Sequence, residues 1–247
     1  MDLARTLVER RTLLAVLTII VSIVVGWGVT KTSIDPRSDA ILPEDDPYAA
    51  EVKAVEADFP RSRSALFTFI APDGDIFNRE ALTAMEALHA RFGEVQSAVA
   101  VGSMVNYRLN AVDETIYGRQ YLLPPVDSLS DNDLAEVRDI ALADEDLVKT
   151  QLARDGDMAL AIFKYRPSGE GLSERLEIAR SVVALRDRLR GDYPGVEIYV
   201  LGNDLFELDS YNAQIKDRNN LAPLVALATT LLLWLCLNSL VYALCTL

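Results

Sequence analysis

Met158–Tyr165 (MALAIFKY), reached through Arg154-Asp155-Gly156-Asp157, is the segment on which the order of strands turns. Asp-Gly between two extended runs, here Lys149–Ala153 and Met158–Tyr165, is a hairpin signal, because glycine accepts the positive φ that a tight turn demands. Downstream, Gly169-Glu170-Gly171 breaks the chain before a helix expected from about Ser173 to Arg190. Leu176, Ala179, Val182, Val183, Leu185 and Leu189 form its apolar face at helical spacing. Pro194-Gly195 ends the connection, and Val196–Leu201 (VEIYVL) reads as the next strand. Upstream the same order occurs. Ala65–Ala71 (ALFTFIA) is a short apolar run bounded by turn residues, hence a buried strand. Pro72-Asp73-Gly74 turns the chain. Asn78 caps a helix carrying Leu82, Met85, Leu88 and Phe92, which ends near Phe92-Gly93. Val95–Val101 (VQSAVAV) alternates and stops at Gly102, predicting a strand.

Strand, helix, strand, an insertion at about 103–150, then strand, helix, strand: two βαβ units joined this way predict a ferredoxin-like α+β sandwich. Within the insertion, Tyr107, Tyr117 and Tyr121 with Pro124-Pro125 predict an irregular packed segment. Its aromatic residues suit either a local core, the favoured reading, or contact with a lipophilic ligand. Ser130 or Asp131 caps a helix reaching about Ala143. Ahead of the first strand, Leu42-Pro43-Glu44-Asp45-Asp46-Pro47 lacks the alternating oxygen ligands and glycine of a calcium loop. It reads instead as a solvated turn, with Asp46 capping a helix, Pro47 at its first position, and a stop at Phe59-Pro60. Beyond the last strand, Asn203–Asn220 reads as a polar helix.

Two uncharged apolar runs enclose all of this: Thr12–Val29 (TLLAVLTIIVSIVVGWGV) and Leu221–Leu247 (LAPLVALATTLLLWLCLNSLVYALCTL). A spanning helix needs roughly 20 apolar residues, so both read as transmembrane helices, with residues 30–220 as one extracytoplasmic domain. Arg5, Arg10 and Arg11 precede the first run, and positive residues beside a span stay cytoplasmic. Residues 1–11 are then cytoplasmic, the large loop is periplasmic, and the protein is a multi-pass component of the inner membrane. A cleaved signal peptide is the competing reading of residues 1–29; the long apolar core and the lack of an A-x-A site after Trp27 argue against it. Trp27 suits an interfacial belt, and Gly26 and Gly28 suit close helix contact. Pro223 falls in the first turn of the second run, where its missing N–H costs little. The chain stops inside that run without a polar flank, so a longer parent protein is expected.

Half of the residues are hydrophobic, and the formal net charge is −13. Such acidity excludes nucleic acid as a partner, whose binding depends on phosphate neutralisation; solubility explains it without any special ligand. Cys236 and Cys245 are the only cysteines. Nine residues at about 100° each set them on opposite helix faces, so they serve packing, and the exported domain has no disulfide. Nucleophile elbow, zinc motif and phosphate loop are all missing, which predicts no enzyme, no catalytic residue, no metal site and no cofactor. The single histidine, His89, borders an apolar stripe with no partner in the local sequence and reads as a partly buried surface histidine. Asp217 and Arg218, just ahead of the second run, read as residues that hydrate and position a helix end.

Several segments together resemble the resistance–nodulation–division (RND) transporters, especially the branch of mycobacterial large membrane proteins and hydrophobe or amphiphile exporters. They are Ile41–Pro47 after the first run; Phe92-Gly93 through Val95 with Val101–Asn106; Arg154-Asp155-Gly156; Tyr193-Pro194-Gly195 with Leu201-Gly202; and Asp217, Leu221 and Pro223. The resemblance implies a periplasmic porter domain of ferredoxin-like modules, many spans in two halves, and a second porter domain. It also implies transport driven by proton uptake at acidic residues of later spans. Neither apolar run here holds an ionisable residue, and an intramembrane carboxylate is the usual mark of a proton path. The proton relay is therefore expected outside this chain.

The leading expectation is the N-terminal portion of a proton-driven exporter of hydrophobic or amphiphilic, lipid-like molecules. Its expected partners are the bilayer, the remaining spans, the second porter domain, the substrate and further copies of the chain. The alternative is a two-span membrane-anchored ligand-binding or sensor protein, which the short N-terminus and the lack of an output domain disfavour. The sequence names no substrate-binding residue and no direction of transport.

Overall fold

The computed structural model describes residues 62–109, 120–169 and 171–237, together with Ile20, Glu51, Val55 and Gly118. The chain divides into a unit spanning Arg37–Asp209 and a second unit formed by Met1–Pro36 and Ser210–Leu247.

The first unit is α+β, built on one four-stranded antiparallel sheet. Its strands are β1 (Arg63–Ile70), β2 (Ala98–Gly102), β3 (Met158–Tyr165) and β4 (Glu197–Leu201). Their order across the sheet is β2-β3-β1-β4. β1 lies antiparallel to β3, with Leu66 opposite Ile162, and antiparallel to β4, with Leu66 opposite Leu201. β2 lies antiparallel to β3. Helix α1 (Arg79–Arg91) joins β1 to β2, and α4 (Leu172–Asp192) joins β3 to β4. Between β2 and β3 come α2 (Asp131–Ala143) and α3 (Glu145–Thr150). The two long connections pack together: α1 against β1, α4 against β4, and the helices against each other.

Period-two alternation sends Ala65, Phe67 and Phe69 of β1, Ala159, Ala161, Phe163 and Tyr165 of β3, and Ile198 of β4 into one core. The Phe67 and Phe163 rings stand 5.8 Å apart at 46°. Leu82, Met85 and Leu88 of α1 and Ile178, Val182, Leu185 and Leu189 of α4 are fully buried. All but Ile178 belong to the two helical stripes read from the sequence; Val183, expected in the second stripe, is only half-buried. Asn78 caps α1 by accepting from the Ala81 N–H at 2.8 Å. Ser130 caps α2 in a reciprocal box with Asp133.

Two expected strands differ in extent. The second begins at Ala98, not Val95, because Phe92–Glu94 forms a 3₁₀ turn and Ser97 takes a φ of 65°. The expected hairpin between Lys149–Ala153 and Met158–Tyr165 forms only beside its turn: Lys149 and Thr150 end helix α3, while the Ala153 N–H donates to the Met158 carbonyl at 2.9 Å and the Leu160 N–H to the Gln151 carbonyl at 2.7 Å. Asp144 accepts from the Asp146 and Leu147 N–H groups and starts α3, and a Lys149–Glu145 pair at 2.8 Å extends it. Only Leu152 bridges β3, opposite Ala159. The turn itself is as read, with Gly156 at φ 73°.

The insertion fills a local core, with Leu109, Leu122, Leu123, Val126 and Leu129 rather than the tyrosines providing the buried bulk. Tyr121 is exposed, Tyr107 donates its hydroxyl to Asp144 at 2.9 Å, and Tyr117 lies outside the described residues. Arg79 reaches from α1 to the Val126 and Leu129 carbonyls at 2.9 and 2.7 Å, anchoring the segment.

Helix α5 (Asn203–Lys216) follows β4. Its residues from Ser210 on are counted in the second unit, of which the π-helical turn Asp217–Leu221 and helix α6 (Ala222–Leu237) are also described. Pro223 has no N–H to offer the carbonyl four residues back, which favours a widened turn just ahead of it. Among the described residues no helix is long and apolar enough to cross a membrane; α6 has 16 residues and no charge. The rest of the second apolar run, 238–247, and all of the first except the helical Ile20 lie outside the described residues. So do Asp46, Pro47, Cys245 and the tip of the insertion.

Candidate functional site

Polar side chains buried in a core must find partners or destabilise it. Arg175, Asp204 and Glu207 are such residues, at 3%, 1% and 7% exposure. They meet at one end of the sheet. Asp204 and Glu207 project from the first two turns of α5. Arg63 opens β1, Tyr165 closes the facing end of β3, and the register pairs those two positions directly. Arg175 lies in the first turn of α4.

Asp204 is the hub. Its Oδ1 accepts from Arg63 Nη1 at 2.7 Å, and its Oδ2 accepts from the Tyr165 hydroxyl at 2.8 Å. Arg175 Nη1 stands 3.9 Å from Oδ1, and its Nη2 lies 3.3 Å from Glu207 Oε2. Two guanidinium groups thus face two carboxylates, and a phenol supplies a further donor. Burial, and then the adjoining Asp204 charge, drive the Tyr165 pKa well above its usual value of 10.0. Tyr165 therefore stays a neutral donor across the physiological range. Both acids sit in the opening turns of α5, where the helix dipole favours negative charge.

The arrangement binds no obvious small molecule. Its groups are turned on one another, and its effect is to tie the start of α5 to β1, β3 and α4 together.

A second polar pair lies in the core between α1 and the segment after β2. His89 Nε2 stands 2.7 Å from Ser103 Oγ. A serine–histidine contact invites a nucleophile reading, but Ser103 is 1% exposed, and its hydroxyl accepts from the Val105 N–H at 3.2 Å as the cap of a 3₁₀ turn. Burial lowers the His89 pKa below 6.5, which suits a neutral ring accepting from the serine hydroxyl. The pair is a structural bond.

An open hollow beside Pro72, Asn78, Arg79, Glu80 and Gly195 is no better a binding site. Arg79 is committed to the two carbonyls described above, and Glu80 accepts from the Gly195 N–H at 2.7 Å. No group of three or more metal-ligating side chains occurs among the described residues.

Sequence reasoning singled out Asp217 and Arg218; both are exposed in the π-helical turn. It missed the Asp204 cluster. One signal was present: Arg175 precedes Ala179 and Val182 by four and seven residues and so occupies their apolar stripe. A charge there calls for a buried counter-charge, but the sequence does not say which of 37 acidic residues supplies it.

No protein-family model matches the chain, and no curated protein matches its sequence.

Proposed function

We propose that this chain is part of a proton-driven exporter of hydrophobic or amphiphilic, lipid-like molecules in the RND superfamily. It supplies a first span (12–29), an extracytoplasmic porter domain of ferredoxin-like form, and the beginning of a second span (from 221). The reading puts the N-terminus in the cytoplasm and the domain on the outer side of the inner membrane. The bilayer, further spans and a second porter domain are its partners, and proton uptake takes place on those further spans.

One observation carries the proposal beyond the sequence motifs. The strands run in the order β2-β3-β1-β4, all antiparallel. Each strand–helix–strand unit is therefore split by a strand of the other: β3 lies between β1 and β2, and β1 between β3 and β4. That interleaving supports the split βαβ arrangement of the ferredoxin-like class. The resemblance requires this form of the exported domain, and two apolar runs bracket that domain in the sequence. The Asp204 cluster suits the same reading. It fixes the start of the last helix of the domain, and the chain then continues to the second apolar run. Movement of a porter domain has to be transmitted through such a connection.

The reading frame beyond Leu247 tests the proposal. Further apolar spans, one carrying a carboxylate, together with proton-gradient-dependent movement of a fluorescent lipid in proteoliposomes of the whole protein, are the expected result. A stop codon after a short charged tail would replace the exporter with a two-span binding or sensor protein.

A further inference from the structure

The outer strands of an open sheet turn a row of backbone N–H and C=O groups away from their neighbours, and such a row can pair with another extended chain. The order β2-β3-β1-β4 makes β2 and β4 the two edges. Register shows which groups each edge turns outward. The Leu160 N–H donates to the Gln151 carbonyl, on the side of β3 away from β1. Leu160 lies opposite Thr68, so the backbone groups of Thr68 turn the other way, toward Tyr199 of β4. Alternation then points the N–H and C=O of Ile198 and Val200 outward. On the opposite edge the same alternation turns those of Val101 outward, because its partner Phe163 bonds to Ala65 of β1.

At both edges a side chain takes an outward carbonyl. Asn106 Nδ2 donates to the Val101 carbonyl at 2.9 Å. Arg190 Nε, in the last turn of α4, donates to the Ile198 carbonyl. The edges differ in what else protects them. β2 is irregular between Ala98 and Ala100, and Val101 is buried. β4 is the regular run Glu-Ile-Tyr-Val-Leu, rich in strand-forming residues, with Tyr199 and Leu201 exposed. Among the described residues nothing else bonds the outward groups of Ile198 and Val200. The Arg190 guanidinium also stands 4.9 Å from the centre of the Tyr199 ring, an attraction that holds it against the strand.

We infer that Arg190 guards this edge: it keeps β4 from adding a strand, and the strand that fits once the guard is removed is β4 of a second copy. Two β4 edges brought together antiparallel about a two-fold axis offer each other the same groups, N–H to C=O in both directions. With the guard in place, one outward acceptor on each edge is occupied, and two like charges meet at the joint. This inference does not depend on the transport reading.

The test compares the full chain in detergent with Arg190→Met, by light scattering after size exclusion from about 1 to 100 µM, where mass action reveals a weak pair. Methionine keeps most of the apolar stem and removes the donor and the charge. Arg190→Met should associate beyond the wild type, its mass rising with concentration toward double the wild-type value, with circular dichroism unchanged. Arg190→Ala should do the same, which separates loss of the donor from any misfit of the methionine. Arg190→Lys keeps a charged donor and should match the wild type. Val200→Pro removes an outward N–H and leaves the bonds to β1 in place; added to Arg190→Met, it should return the mass to the wild-type value. The inference is overturned if Arg190→Met and Arg190→Ala keep the wild-type mass at every concentration, if Arg190→Lys associates as they do, or if Val200→Pro leaves the association intact.

Discussion

Asp204 has two short bonds, and they differ in what their loss would do. Tyr165→Phe removes one donor to a buried carboxylate and leaves Arg63 in place; hydrogen bonds to charged groups are worth about 1.5–3 kcal/mol. We expect a loss of that size in denaturant unfolding of the detergent-solubilised chain. Asp204→Ala leaves Arg175 buried with half of its counter-charge gone, and breaking a buried pair in this way costs about 3–5 kcal/mol. The exposed Lys149–Glu145 pair is the contrast: at the surface such a bond is worth about 0.3–0.5 kcal/mol, and Lys149→Ala should barely register. His89 gives a pH prediction. Its folded pKa lies below 6.5, so the unfolded chain binds the proton more readily, and stability must fall as pH drops through and below 6.5. The melting temperature of the wild type should decline between about pH 7.5 and 5.5, and His89→Gln should flatten that decline. The sequence does not pair the members of either site, because the partners are remote: Ser103 is 14 residues from His89, and Arg63 is 141 residues from Asp204.

Elements were legible where their signals were local. The caps Asn78 and Ser130 and the glycine of the β3 turn were read correctly because each acts within a few residues. Ser130→Ala should cost about 1 kcal/mol and should raise hydrogen exchange first in the opening turn of α2, with the sheet amides unaffected. Only the first two residues of Lys149–Ala153 depart from the expected extended arm, and for a physical reason. A run of five residues is too short for periodicity to separate strand from helix, and the Asp144 cap decided the matter from upstream. The late start of β2 has the same character: alternation in Val95–Val101 does not register the positive φ at Ser97.

At the scale of the whole molecule, the alternation of strand and helix limited the fold to an α+β sheet with two interleaved units. Which strands pair, and that the faces of the sheet differ, became visible only from the register. Residues 12–29 and 221–247 are argued as spans from length and lack of charge alone, and the account of the protein depends on their holding the sheet-bearing unit outside the cell membrane. That claim is tested most directly by attaching a membrane-impermeant maleimide to one exposed position of the unit. Asn132 on α2 is exposed, and Asn132→Cys in a chain with Cys236 and Cys245 replaced by alanine provides a single target. Labelling of intact spheroplasts to the same extent as after lysis is the predicted result; labelling that appears only after lysis would contradict it.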